Sequence, residues 1–491
     1  MQPQVFIGSA FLVIVCVIFG SNFPDTASNL FSTLQTKILK YFGWYYILVV
    51  SLILIFIIFL LFSKYGKIKL GGDDEKPAFN NFSWFTMLFS AGMGTGLVFW
   101  GVAEPMMHYK NPPMAEAETP AALFDAFQYS FFHWGLHPWA IYALFGVCIA
   151  FYHFRKNLPL APRSLLYPLI GDRIYGVTGH VVDILATVVG TLFGVATSLG
   201  LGAMQINAGL SRISNISIQP SVQIIIVMVI TLFATASVVL GLSKGISRLS
   251  RFNIILAFIM LVFVLFFGPT LYIIKIFVSS FGGYMQSLLS KSFWINPNEP
   301  EWQKNWTLFY WAWWISWSPF VGIFTARISR GRTIRQYILW VLLIPSLATF
   351  LWLSVFGGAG LDMIINGNVN LFEPIKKEVS ISLHLLLEQY PLASITSVLA
   401  TLLITIYFIT SSDSGSLVDD MVTSGGHPNP PVAQRIFWAC SEGAVAAILL
   451  LAGGLEAIRS ASLASGLPLS MILIAAALGI FKALKNEKIK K

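Results

Sequence analysis

The sequence predicts an all-α polytopic membrane protein, and three observations predict it. Of its 491 residues 56% are hydrophobic and only 11% charged, with mean hydropathy +0.74, whereas a soluble domain carries about 25% charged residues. Apolar runs of roughly twenty residues recur along the chain, each long enough to cross about 30 Å of hydrocarbon. The basic residues collect in short loops between these runs, mostly on alternate sides, which is how the orientation of membrane helices is written.

About twelve spans are expected, near 3–20, 41–63, 84–107, 123–153, 180–210, 219–242, 252–280, 306–328, 334–360, 391–412, 433–453 and 459–484. The first lacks a basic leading region and a small-residue cleavage site, so it reads as a retained helix. Even-numbered spans are followed by basic loops: Lys64, Lys67, Lys69 and Lys76; Arg155, Lys156, Arg163 and Arg173; Lys244, Arg248 and Arg251; Arg327, Arg330, Arg332 and Arg335; and the tail with Lys482, Lys485, Lys488, Lys490 and Lys491. Odd-numbered spans are followed by poorer ones, which predicts that both termini face the cytoplasm. The net charge of +9 is therefore a topology signal, and nucleic acid is not an expected partner. Cys16, Cys148 and Cys440 lie inside apolar runs and read as small buried side chains. The longest outer segments are 283–305 and 364–390; the second has helical periodicity and is expected at the membrane interface.

Two spans carry breakers at their centres. Span 3 contains Gly92, Gly94 and Gly96 in alternation, and span 8 contains Ser316, Ser318 and Pro319. Interior glycine costs about 1 kcal/mol relative to alanine and proline about 3, and backbone freed in lipid must find partners in protein or a wet cavity. Both spans are expected to be bent or locally unwound. Each opens a run of five spans, and broken helices in corresponding positions of two halves mark an inverted-repeat transporter and its binding site. The expected organisation is two extra N-terminal helices (1–83), a first repeat (84–280) and a second repeat with a short basic tail (281–491). Gly190 and Gly194 in span 5 read instead as close-packing positions.

Span 8 begins "WTLFYWAWWISWSP", five tryptophans in fourteen residues. Trp306, like Trp44 and Trp340, suits the interfacial belt. Trp313, Trp314 and Trp317 lie deeper and share one helical face. Span 4 offers Trp134, Trp139 and Tyr142, with Pro138 among them. Two aromatic faces from different helices close either a cage for a quaternary ammonium group or an aromatic packing core; the composition leaves the two equal.

These residues resemble a known family. "WTLFYWAWWISWSPFVGIFTARISRGRTIR", "AGMGTGLVFWGVAEP", "FHWGLHPWAIYA", "SLGLGAMQINAGL" and "YFITSSDSGSLV" are similar, in order along the chain, to motifs of the betaine/carnitine/choline transporters, most like the sodium-coupled glycine betaine carriers. The resemblance implies twelve helices, a five-plus-five inverted repeat of the leucine-transporter type, homotrimers, and a bacterial inner-membrane location. It places Trp134, Trp139, Tyr142, Trp313, Trp314 and Trp317 on the substrate cage, with Ala91 and Met93 beside it. It implies a main sodium site from Thr410 and Ser411 with the carbonyls of Tyr407, Ser90 and Met93. The bland reading of such hydroxyls is a bond back to their own helix, which suits Ser412 and Ser416.

One departure concerns a second sodium site of the family, whose positions here are Thr191, Val195 and Phe320; valine offers no side-chain oxygen. Sodium-independent exchangers of the family carry an arginine in span 5, and none stands between Ala186 and Leu210. At Gly96 the proton-coupled choline carriers tend to have aspartate. Glycine there suits a zwitterion, and neighbouring Thr95 offers a hydroxyl. The expectation is sodium-driven uptake of a betaine-like solute, with proton-coupled choline uptake or carnitine-type exchange as rivals. No enzyme activity and no cofactor beyond the coupling ion is expected. His133 and His137 have the i, i+4 spacing of a zinc pair but no evident third ligand, so no transition metal is expected.

Overall fold

The computed structural model describes residues 2–239, 243–297, 300–367, 369–427 and 430–487, and among them every regular element is a helix. Lys488, Lys490 and Lys491 of the basic tail, and the side chains of Lys244 and Arg248, lie outside the described part. Helices α1 (Pro3–Asn22) and α2 (Pro24–Phe62) each begin on a proline, whose missing N–H is no loss in a first turn. Asn80 caps α3 (Asn81–Gly92) by accepting the Ser83 N–H. Extended backbone at Met93 and Gly94 then separates α3 from α4 (Thr95–Lys110), and the pair is bent by 59°. Thr119 caps α5 (Pro120–Trp134), which Gly135 separates from α6 (Leu136–Ala150).

The chain continues through α7 (Val177–Ile184), a wide π-helical stretch Leu185–Leu192, and α8 (Phe193–Ser214). Then come α9 (Pro220–Val239), α10 (Ser243–Phe267), α11 (Thr270–Ser292), α12 (Phe309–Ile328) and α13 (Ile334–Trp352). The last three long helices are α14 (Ala393–Thr423), α15 (Val432–Leu451) and α16 (Leu455–Lys485). Among the described residues nine helices are long and apolar enough to cross a membrane, ten with the bent α3–α4 pair. Helix α12 is not one of them, because Trp, Tyr and Ser lower its hydropathy. Its side chains are nonetheless almost all buried. It packs most extensively on α6 and also on α16 and the π-helical stretch, so it stands at the centre of the bundle.

Three expectations are corrected. Span 7, expected over 252–280, ends at Phe267: Gly268 and Pro269 stop it, and a separate helix, α11, begins at Thr270 and crosses the expected 280/281 boundary between halves. The break expected at Ser316–Pro319 is not there, and α12 runs on through Pro319. The proline removes one N–H, leaving the Ile315 carbonyl without its helical donor; the Ser318 hydroxyl donates to that carbonyl at 2.7 Å instead. The helical character expected for 364–390 is seen in two short helices, Phe372–Lys377 and Ser382–Leu387, that bury Ile375, Leu383 and Leu386 against the protein, with the Ser382 hydroxyl donating to the Phe99 carbonyl. Cys16 and Cys440 are exposed on the helix bundle, and only Cys148 is buried.

The loop after α2 pairs with the loop after α12. Leu70 N–H donates to Arg332 O, Gly331 N–H to Leu70 O and Ile334 N–H to Ile68 O, each at 2.8 Å. Arg332 adds bonds to Asn81 and the Phe79 carbonyl and lies over the Trp84 ring.

Candidate functional site

The break between α3 and α4 opens onto a cavity. Its walls come from that break (Ala91 and Gly94–Leu97), from the α5–α6 junction (Trp134, Pro138, Trp139 and Tyr142), and from α12 (Trp313, Trp314, Trp317 and Val321), with Ser198 and Thr349 completing it. All six aromatic residues expected on the cage therefore line one space. Met93 is buried at the break but is not among the lining residues.

The rings meet at corners. Trp134 stands 4.9 Å from Trp314 and 6.3 Å from Trp313, with planes at 69° and 82°. Tyr142 stands 6.4 Å from Trp314 at 81°, and Trp139 5.2 Å from Tyr142 at 78°. Trp313 and Trp314 are stacked at 4.6 Å, so these neighbours act as one thick wall. Trp317, also on the lining, stands edge-on to Phe320. Two of the indoles are fixed by hydrogen bonds: Trp314 Nε1 donates to His133 O at 2.9 Å and Trp134 Nε1 to Glu104 Oε2 at 2.8 Å. Trp313 Nε1, Trp317 Nε1 and the Tyr142 hydroxyl are buried with no partner among the described residues.

Two glycines make room for these rings. A Cβ on Gly96 would stand 2.5 Å from Trp313 Cη2 and 3.3 Å from Trp134 Cη2, and one on Gly194 would stand 2.5 Å from Trp317 Cδ1. Gly96 thus matters for more than the charge it does not carry: its bare backbone admits both indole tips. Gly190 is likewise a packing position, against Pro319 and Leu469.

The first turn of α4 also lines the cavity, beside the tips of Trp313 and Trp134. The amides of Thr95, Gly96 and Leu97 precede the first helical bond, Val98 N–H to Gly94 O, and have no helical acceptor. They give this end of the cavity a positive electrostatic character. The Thr95 hydroxyl points to the Ser198 carbonyl at 3.4 Å, and the Thr95 carbonyl accepts from Gln205.

At the expected sodium site, Met93 and Tyr407 are buried and Ser90, Thr410 and Ser411 half-buried. The Thr410 hydroxyl donates to the Ile406 and Tyr407 carbonyls of its own helix, at 2.9 and 3.2 Å. Ser416 bonds back to Ser412 O, as expected, and also to Glu442, which Ser412 reaches as well. At the second position Val195 is fully buried and packs against Gly415.

The sequence reading missed Glu104. This fully buried carboxylate sits behind the cage: Oε1 takes His133 Nδ1 at 2.7 Å and His108 Nε2 at 3.3 Å, while Oε2 takes Trp134 Nε1 and the Tyr310 hydroxyl. An acid inside a span is itself a functional signal, and it was available in "GVAEP". His133 does not pair with His137, whose Nε2 faces Ser292 instead. Glu104, His108 and His133 bring three ligand-type atoms within 4.8 Å of one another, and the hydrogen bonds among them occupy those atoms. Trp306, expected in the interfacial belt, is buried between Trp100 and His108, whereas Trp44 and Trp340 are exposed.

Comparison with known proteins agrees with this architecture. The family model described as "BCCT, betaine/carnitine/choline family transporter" matches residues 4–489. A protein of Bacillus subtilis named glycine betaine transporter OpuD is 46% identical over 98% of this chain and 95% of its own length. A glycine betaine transporter of Acinetobacter baylyi is 42% identical over 100% of this chain and 74% of its own. A Vibrio parahaemolyticus protein named for glycine betaine, proline, choline and ectoine is 42% identical over 98% and 86%.

Proposed function

The chain belongs to the betaine/carnitine/choline transporter family, hence is a multi-pass membrane transporter and not an enzyme, and from that premise we propose that it takes up a quaternary-ammonium zwitterion, glycine betaine or a close analogue, as an osmoprotectant. The observation that carries the reading is one cavity lined both by perpendicular indole and phenol rings and by the first turn of α4, whose leading amides have no helical acceptor. A trimethylammonium head has no N–H to donate and is attracted by ring faces, at about 0.5–2 kcal/mol per ring. The carboxylate of the same molecule suits the N-terminus of α4. Among the described residues no carboxylate side chain lines the cavity, which disfavours a purely cationic guest such as choline.

In this reading Na+ is a co-substrate held by Thr410 and Ser411 with the carbonyls of Ser90, Met93 and Tyr407, and its binding at the α3–α4 break couples it to the cage. Twelve spans in two inverted five-helix repeats after two extra helices, cytoplasmic termini, an inner-membrane location and a homotrimer complete the proposal. Val195 supports a second reading, in which fewer sodium ions, or a proton, drive uptake. Uptake of glycine betaine into proteoliposomes, under an inward sodium gradient and then under potassium with a pH gradient, separates the two. Sodium-stimulated uptake is expected, and equal rates under both conditions end the sodium assignment.

A further inference from the structure

Glu104 does not line the cavity, yet it holds one of its walls. Four polar groups meet its two oxygens: the Trp134 N–H and the Tyr310 hydroxyl donate to Oε2, and His133 Nδ1 and His108 Nε2 stand 2.7 and 3.3 Å from Oε1. No solvent reaches it. From Oε2 the chain of contacts is short. The Trp134 indole N–H donates to it, and the other end of the same indole meets Gly96 at the cavity, where a Cβ would lie 3.3 Å from Cη2. The same cluster also steers Trp314, because His133, bonded to Oε1, offers its carbonyl to Trp314 Nε1 at 2.9 Å. The Thr307 hydroxyl on the other ring nitrogen of His133 fixes that ring from α12's side.

We propose that Glu104 is a positioning residue whose buried negative charge, delivered through the Trp134 N–H, makes the cage wall a better host for a cation. The proposal rests on the cage reading and adds to it. An indole whose N–H leans on a carboxylate carries more electron density on its ring. The attraction of a cation to an aromatic face is electrostatic and grows with that density. The field of the carboxylate itself also reaches the cavity through a water-poor medium, where charges act more strongly than in water. Discrimination between a charged and an uncharged guest of equal shape is therefore set from behind the wall.

The test uses full-length protein in detergent and two guests of equal shape, glycine betaine and 3,3-dimethylbutanoate, which replaces the charged nitrogen by carbon. Glu104→Gln keeps the size of the side chain and removes the charge. Roughly tenfold weaker binding of glycine betaine is expected, with the affinity for 3,3-dimethylbutanoate changed by less than about twofold. Equal losses for both guests assign Glu104 to packing alone and overturn the proposal, as does an unchanged affinity for glycine betaine. Tyr310→Phe removes one donor and leaves the charge less compensated. It is expected to tighten glycine betaine about twofold and to leave 3,3-dimethylbutanoate as it was. This variant decides the matter if Glu104→Gln does not fold, and weaker or unchanged binding of glycine betaine in it overturns the proposal. If wild-type protein binds no glycine betaine at all, the functional reading falls rather than the role of Glu104.

Discussion

Replacing Gly96 by alanine tests the cavity where backbone meets two indole tips. The added methyl carbon would lie 2.5 Å from Trp313 Cη2 and 3.3 Å from Trp134 Cη2, where carbon atoms settle at about 3.5–4.0 Å. Something must retreat by about 1 Å. Trp313 has nowhere to go: it is fully buried, stacked on Trp314 at 4.6 Å and on Phe309 at 5.5 Å. Overpacking of this kind costs about 1–3 kcal/mol. Taken from the bound state, that is roughly a 5- to 150-fold weaker affinity. Titration calorimetry with glycine betaine on purified Gly96→Ala protein reads this directly, with a melting curve alongside. Gly96→Asp adds more bulk at the same place, so it should lose glycine betaine without gaining choline. Affinity within about twofold of wild type in Gly96→Ala would refute the reasoning, since the rings would then tolerate a shift that the packing forbids.

Further outcomes follow from the same geometry. Trp314→Leu and Trp317→Leu should each weaken glycine betaine roughly 2- to 30-fold in calorimetry, the worth of one cation–π contact, while Trp44→Leu on the exposed surface changes nothing. Thr410→Val removes a hydroxyl from the proposed sodium site, so the sodium concentration for half-maximal uptake in proteoliposomes should rise at least about tenfold; an unchanged sodium curve places the ion elsewhere. Outside the membrane, burial would raise the Glu487 carboxyl, but hydrogen bonds and charge from Lys156 and Arg155 outweigh it and hold the group below its ordinary 4.5. A depressed value in the folded state means stability that is present above the unfolded value and lost as pH falls through the folded one. The gap in melting temperature between wild type and Glu487→Gln should therefore be widest above about pH 5 and close by about pH 3; a gap that ignores pH would show that the ion pairs contribute nothing.

Much of this site is legible in the sequence because its chemistry is unusual for a membrane. Indoles in the middle of a span suit a cage or a packing core equally, alternating glycines in another mark a break, and the cavity lies where both point. The proline of α12 misled, because proline counts as a breaker unless a neighbour repairs the gap. That repair needs the rotamer of Ser318, which residue spacing does not carry. The end of α10 was missed for a simpler reason. Apolar residues continue past Gly268 and Pro269 into α11, and hydropathy does not register a turn. Gly96 was read as an absent charge, whereas its missing Cβ faces two rings brought from helices far apart in the chain. Glu104 went unread because its four partners come from three segments and meet only on folding.

The serine that closes the gap at Pro319 has a mechanical consequence. Unbroken helix carries Tyr310, Trp313, Trp314 and Trp317 across the proline on one body, whereas the facing walls are joined through non-helical backbone at Met93–Gly94 and at Gly135.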